Sequence, residues 1–82
     1  MSELSRLRWL CRRGMKELDL VLTGYLENHY SDAGEHEQAG FRKLLELQDP
    51  ELYGLVLGKL TTDDGNMTTV LRTIRKLAQS VR

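Results

Sequence analysis

Seven apolar residues near the C-terminus, Met67, Val70, Leu71, Ile74, Leu77, Ala78 and Val81, fall at offsets 0, 3, 4, 7, 10, 11 and 14. A helix returns to the same face every 3.6 residues and a strand every two, so this spacing lines one side of a helix. Arg72, Arg75, Lys76 and Gln79 take the other side. A helix striped in this way must bury its apolar face against other elements. In 82 residues those elements are few, and they form one small domain over residues 1–82. Asp63 or Asp64 is placed to cap the start of the helix, and the late basic residues suit the negative end of its dipole.

The same period runs upstream. Leu4 to Arg13 carries Leu4, Leu7, Leu10 and Cys11, and Gly14 separates this helix from the next. Met15–Tyr30 carries Leu18, Val21, Leu22, Tyr25, Leu26 and His29 on one stripe, with Gly24 inside it. Ser31 or Asp32 opens a third helix, with Glu35 available for a capping box and Ala39, Phe41, Leu44, Leu45 and Leu47 as its apolar face. Asp49-Pro50 opens a fourth: Asp49 accepts from free N–H groups, and Pro50 fits the first helical position, where no donor is needed. Leu52, Leu55 and Val56 form its face, and Gly58 ends it in a left-handed conformation. The pattern predicts an all-α protein, a compact five-helix bundle without strands or internal repeats.

Charge narrows the function classes. Lys and Arg number 12, as do Asp and Glu, so a nucleic-acid binder relying on bulk electrostatics is disfavoured. The distribution is uneven: five basic and two acidic residues in 1–17, three and ten in 18–66, four and none in 67–82. Basic ends and an acidic middle either hold the termini against the centre or make two poles that orient a docking partner. One cysteine excludes an internal disulfide and a thiolate-built zinc site, and suits a reducing cytoplasm. No apolar run has the length of a membrane helix. The arginine-rich start faintly resembles an organelle transit sequence, but it runs straight into the amphipathic pattern and reads as part of the fold.

Catalytic chemistry is sparse. His29 and His36 fall on different helices, His29 at the core edge and His36 exposed near a helix start. Cys11 has arginines nearby and no evident general base, so it reads as a small buried side chain. Asp63-Asp64-Gly65-Asn66 lacks the later ligands of a calcium loop and reads as a turn with a cap. The expectation is a protein that is not an enzyme, with no catalytic, metal-binding or cofactor-binding residues of its own.

One cluster stands apart: Arg12-Arg13-Gly14-Met15-Lys16-Glu17-Leu18-Asp19. Helix capping accounts for it in one way: Gly14 for a tight turn, Arg12 and Arg13 at the end of the first helix, Glu17 in the first turn of the second. Docking accounts for it in another: a glycine that admits close approach, flanked by an arginine and a carboxylate held on two helix ends.

At these residues the sequence resembles the SdhE-type succinate dehydrogenase flavin-assembly factors, whose RGxxE motif is matched by Arg13-Gly14-Met15-Lys16-Glu17. The resemblance extends to Trp9-x-Cys11-Arg12 before the motif, to Leu18-Asp19 after it, and to Leu44-Leu45-Glu46-x-x-Asp49-Pro50-x-Leu52. Gly34–Gly40 is richer in glycine than the family pattern. The resemblance implies a helical assembly chaperone that binds the flavoprotein subunit of succinate dehydrogenase, or in some bacteria of fumarate reductase, and promotes covalent attachment of FAD. The flavin would be joined to the partner and not stably held here. The family's motif residues map onto Arg13, Gly14 and Glu17. Mitochondrial members carry an import presequence, and none is evident here, which points to a bacterial cytoplasmic protein.

On this reading Gly14 permits close approach, and Arg13 and Glu17 pair with polar groups near the client's flavin or its mobile capping domain. Trp9 is either an interface anchor or a core residue. Arg8, Arg12 and Lys16 either steer docking or form a solvated face. A monomer pairing one-to-one with its client, with neither nucleic acid nor membrane insertion, is expected. The competing class is an antitoxin or small regulatory protein that binds a toxin partner; a helical nucleic-acid binder is a third, against which the zero net charge weighs.

Overall fold

A computed structural model describes residues 2–80, with the side chains of 2–79. It is all-α, with no strand among the described residues: α1 (Glu3–Leu10), α2 (Lys16–Tyr25), a π-helical turn (Leu26–Tyr30) continuing α2, α3 (Glu35–Leu45), α4 (Asp49–Leu57) and α5 (Gly65–Ser80). The striped helix α5 packs against α2, α3 and α4, while α1 lies against α3 and the π turn. Met67, Val70, Leu71 and Ile74 are buried, and Leu77 and Ala78 pack at the edge of the core. Val81, the last residue of the predicted stripe, and Arg82 lie outside the described residues.

Each boundary has a local cause. The Ser2 hydroxyl accepts from the Ser5 N–H and opens α1. This helix ends at Leu10, short of the predicted Arg13. Cys11 N–H reaches back to Leu7 and Arg8 carbonyls, Arg12 N–H to Trp9, and the chain then leaves the helix. For α5 the cap is Asp64: its Oδ1 accepts from Asn66 and Met67 N–H at 2.9 and 3.1 Å. Those amides and the Lys43 ammonium at 3.1 Å hold the Asp64 carboxyl below the usual carboxylate range, the Met67 N–H contributing most. Gly58 ends α4 at φ +82°, as predicted.

Three sequence expectations fail at helix starts or along a stripe. His29 does not join the core. The π turn accommodates an extra residue, so Tyr30 takes the buried position and His29 is turned out, its ring stacked on Tyr25 at 5.8 Å. The Tyr25 and Tyr30 rings both meet Phe41. Ser31 and Asp32 do not open α3; Gly34 precedes it in an extended conformation with no side-chain cap. The preceding helix runs to Tyr30, so residues 31–34 are spent leaving it, and Gln38 reaches back to the Tyr30 carbonyl at 2.7 Å. Asp49 does not cap α4 either. Gln48 is the boundary residue and Asp49 already lies in the first turn, its carboxylate turned towards Arg13.

Gly40 explains one of the extra glycines. A Cβ there would stand 2.5 Å from the Asn66 carbonyl oxygen, so α3 and the start of α5 approach as closely as backbone permits.

Candidate docking site at the Gly14 turn

The turn between α1 and α2 is set by Gly14 at φ +79°, a conformation that side chains with a Cβ rarely adopt. Arg13 precedes it with a free backbone N–H, because α1 has already ended. Asp19, in the opening of α2, supplies the acceptor: its Oδ1 lies 2.6 Å from Arg13 N. Over Gly14 a Cβ would meet nothing within 4 Å. The backbone conformation demands glycine, and the space above is open to another surface.

The Arg13 side chain points away from that space. It is only 13% exposed. One Nη donates to the Leu45 carbonyl; the other donates to Leu47 O at 2.9 Å and reaches Asp49 Oδ1 at 3.4 Å. Its Nε is buried without a partner. The guanidinium thus serves as a cap supplied from elsewhere in the chain. It satisfies a carbonyl at the negative end of α3 and faces a carboxylate in the first turn of α4. The sequence placed Arg12 and Arg13 at the end of their own helix; Arg13 instead caps its neighbour.

Other members of the cluster face outward. Trp9 is 71% exposed, so the core alternative for it is set aside. Arg8, Arg12, Lys16 and Glu17 are exposed as well. Glu17 lies in the first turn of α2, as capping predicted, and its Oε2 accepts from Tyr53 Oη at 3.3 Å. Two concavities flank the start of α2. On one side, Arg12, Gly14, Lys16, Asp19 and Leu20 border an open trough of about 530 Å³. On the other, Glu17 stands at a groove of about 360 Å³ floored by Leu18, Val21, Val56 and Leu57. Arg75, expected on the outer face of α5, turns into this groove and donates to the Leu55 carbonyl through Nε and Nη at 3.2 and 2.7 Å.

Cys11 is fully buried beneath the cluster, and burial pushes its thiol up to about 11, opposed by the charge of Arg13. It is a packing residue, as expected. Among the described residues no three His, Cys, Asp or Glu side chains gather as metal ligands, and no helix is long and apolar enough to cross a membrane.

A family model described as flavinator of succinate dehydrogenase matches residues 5–78. The chain belongs to this flavinator family. The family is one of assembly factors and not of enzymes. Curated relatives carry the name FAD assembly factor SdhE. The protein from Methylococcus capsulatus is 39% identical over 77 residues, covering 94% of this chain and 93% of its own. That of Shewanella oneidensis is 33% identical over 75 residues, 92% of each chain. That of Pseudomonas aeruginosa is 37% identical over 73 residues, 89% of this chain and 87% of its own.

Within this flavinator the structure brings Trp9, Arg12, Gly14, Lys16 and Glu17 to the surface around one turn, and turns Arg13 inward beneath them. The sequence reading assigned no task to Asp19 and gave Asp49 only a cap. Both hold Arg13, and Asp19 falls six residues after it within the cluster already singled out. Tyr53, the partner of Glu17, carried no sequence signal, since the two are 36 residues apart.

Proposed function

We propose that this flavinator binds the flavoprotein subunit of succinate dehydrogenase and promotes covalent attachment of FAD to it, in the bacterial cytoplasm, as a monomer paired one-to-one. It holds no FAD stably and supplies no catalytic group. The client's own nucleophile and the flavin react, and the assembly factor favours the client conformation in which they meet. Ordering such an encounter is worth up to about 7–11 kcal/mol in favourable intramolecular cases. A binder gains that effect by preferring the reactive conformation.

The observation that carries this reading is the display at the Gly14 turn. An exposed indole at the end of α1 and an exposed carboxylate in the first turn of α2 bracket the glycine along the chain, and the turn is tied down by a largely buried arginine side chain. Exposed aromatics beside fixed charges are what protein interfaces use as anchors. Arg8, Arg12 and Lys16 supply positive charge around it, suited to steering an acidic surface of the client. Fumarate reductase is a second client for the same surface if its flavoprotein offers the same groups.

The test is in-gel flavin fluorescence of the client subunit with and without this protein, using wild type and Glu17→Ala at matched folded concentration. Covalent flavin is expected with wild type and much less with the variant. Equal fluorescence in all lanes sinks the proposal. So does a pull-down from bacterial lysate that recovers an inner-membrane toxin in place of the flavoprotein subunit.

A further inference from the structure

We propose that Asp19, outside the five-residue motif, is a positioning residue for flavinylation: it fixes the Gly14 turn so that Trp9 and Glu17 face the client together. The inference rests on the proposed function and adds a residue to it.

The Arg13 amide has left α1 and needs an acceptor. Asp19 Oδ1 provides one at 2.6 Å, a charge-assisted bond across a part-buried turn. It closes a ring through residues 13–19 whose interior includes Gly14 at φ +79°. One side of that ring is anchored independently, since the Arg13 guanidinium is held by Leu45, Leu47 and Asp49 at the α3–α4 corner. The other side is the first turns of α2, which carry Glu17. The Asp19 bond therefore links the first turn of α2 to a fixed point of the core. Without it, no hydrogen bond among the described residues closes the stretch from Arg13 to the first turn of α2, which passes through Gly14, the residue with the greatest backbone freedom. Trp9 sits just ahead of the anchored point and Glu17 within the ring itself, so the closure bears on their relative placement.

Asn keeps an acceptor oxygen at the same place and loses the charge, whereas Ala loses both. That difference separates positioning from direct contact. Wild type, Asp19→Asn and Asp19→Ala are titrated at matched folded concentration into the flavoprotein subunit with FAD, reading covalent flavin fluorescence. Hydrogen exchange of the Arg13 amide is followed in the free proteins. D19A is expected to raise the concentration for half-maximal flavinylation by about tenfold and to lose protection at Arg13. D19N is expected to stay within about twofold of wild type and to keep the protection.

A D19N variant that keeps Arg13 protected yet is as weak as D19A overturns the inference, because the carboxylate then touches the client directly. A folded D19A that matches wild type in flavinylation also overturns it, because the bond then serves stability alone. The D19N arm stands without the alanine variant. A wild-type protein that yields no covalent flavin defeats the proposed function and this inference together. Failure in the Asp19 series alone leaves the proposed function intact.

Discussion

Arg13 and Asp49 lie 36 residues apart in sequence, yet Nη1 of one is 3.4 Å from Oδ1 of the other. Between them the guanidinium also takes the carbonyls of Leu45 and Leu47. The connection ties the α1–α2 turn to the corner between α3 and α4, so the outward display at Gly14 stands on the core. Part of the cluster that resembles a docking motif is thus the foundation of the surface, while its neighbours are the surface.

Arg13→Met keeps much of the aliphatic stem and removes the donors. The Leu45 and Leu47 carbonyls lose their side-chain partner, and a loss of about 1.5–3 kcal/mol is expected in urea unfolding. Asp49 is 38% exposed, so Asp49→Ala should cost no more than about 1 kcal/mol. Equal losses for the two variants would show that the ion pair, and not the carbonyl capping, is the main contribution.

Glycine substitutions separate space from conformation. At Gly40 a Cβ would press on the Asn66 backbone, so Gly40→Ala should destabilise by about 1–3 kcal/mol. At Gly14 there is room but φ is +79°, so Gly14→Ala should cost only about 1–2 kcal/mol in stability. The new methyl group projects into the open trough, and flavinylation should fall further than the folded fraction does. Gly34 has a negative φ and open surroundings, and Gly34→Ala should be neutral or slightly stabilising. Thermal melts of the three variants side by side check the order.

Trp9 is largely in solvent, so Trp9→Ala should change unfolding free energy by less than about 0.5 kcal/mol. As an interface anchor it should weaken client binding by about 2 kcal/mol or more, read by calorimetric titration of the flavoprotein subunit. A variant that unfolds readily and binds normally would reverse this assignment.

Helical periodicity was enough to show the five helices, since each stripe repeats at its own short range. It failed at His29, where the π turn slips the register; nothing local in Leu26-Glu-Asn-His-Tyr30 distinguishes such a turn from a regular one, and the burial of Tyr30 against Phe41 decides it. The caps of α3 and α4 were misplaced for a related reason. Asp32 and Asp49 have the right chemistry for a cap, but the π turn displaces one and Arg13 claims the other. The Gly14 turn and the exposed cluster were legible because turn chemistry is local. The inward course of Arg13 was not, because its acceptors are backbone carbonyls, which carry no residue-type signal.

Two shifts in ionisation predict opposite pH limits. The Cys11 thiol ordinarily titrates near 9.0 and burial moves it to about 11, so the folded state favours the protonated form. Its contribution is intact below the unfolded value and is lost as pH rises through about 11. Asp64 runs the other way. Its folded carboxyl titrates below the ordinary 3.8, so its contribution is present above that value and is lost as pH falls through the folded one. Urea unfolding from pH 3 to 11 should show both edges. Asp64→Asn keeps an acceptor for the α5 amides but removes the titration, and should flatten the acid edge alone. Cys11→Ala should reduce the alkaline edge, leaving the part due to Tyr25, whose hydroxyl is also pushed up by burial and by Glu37, while lowering stability through the cavity it leaves. In the wild type, thiol labelling at pH 8 should proceed no faster than the protein opens. Rapid labelling of folded protein would show that Cys11 is accessible beneath the docking turn, and would undo the alkaline prediction with it.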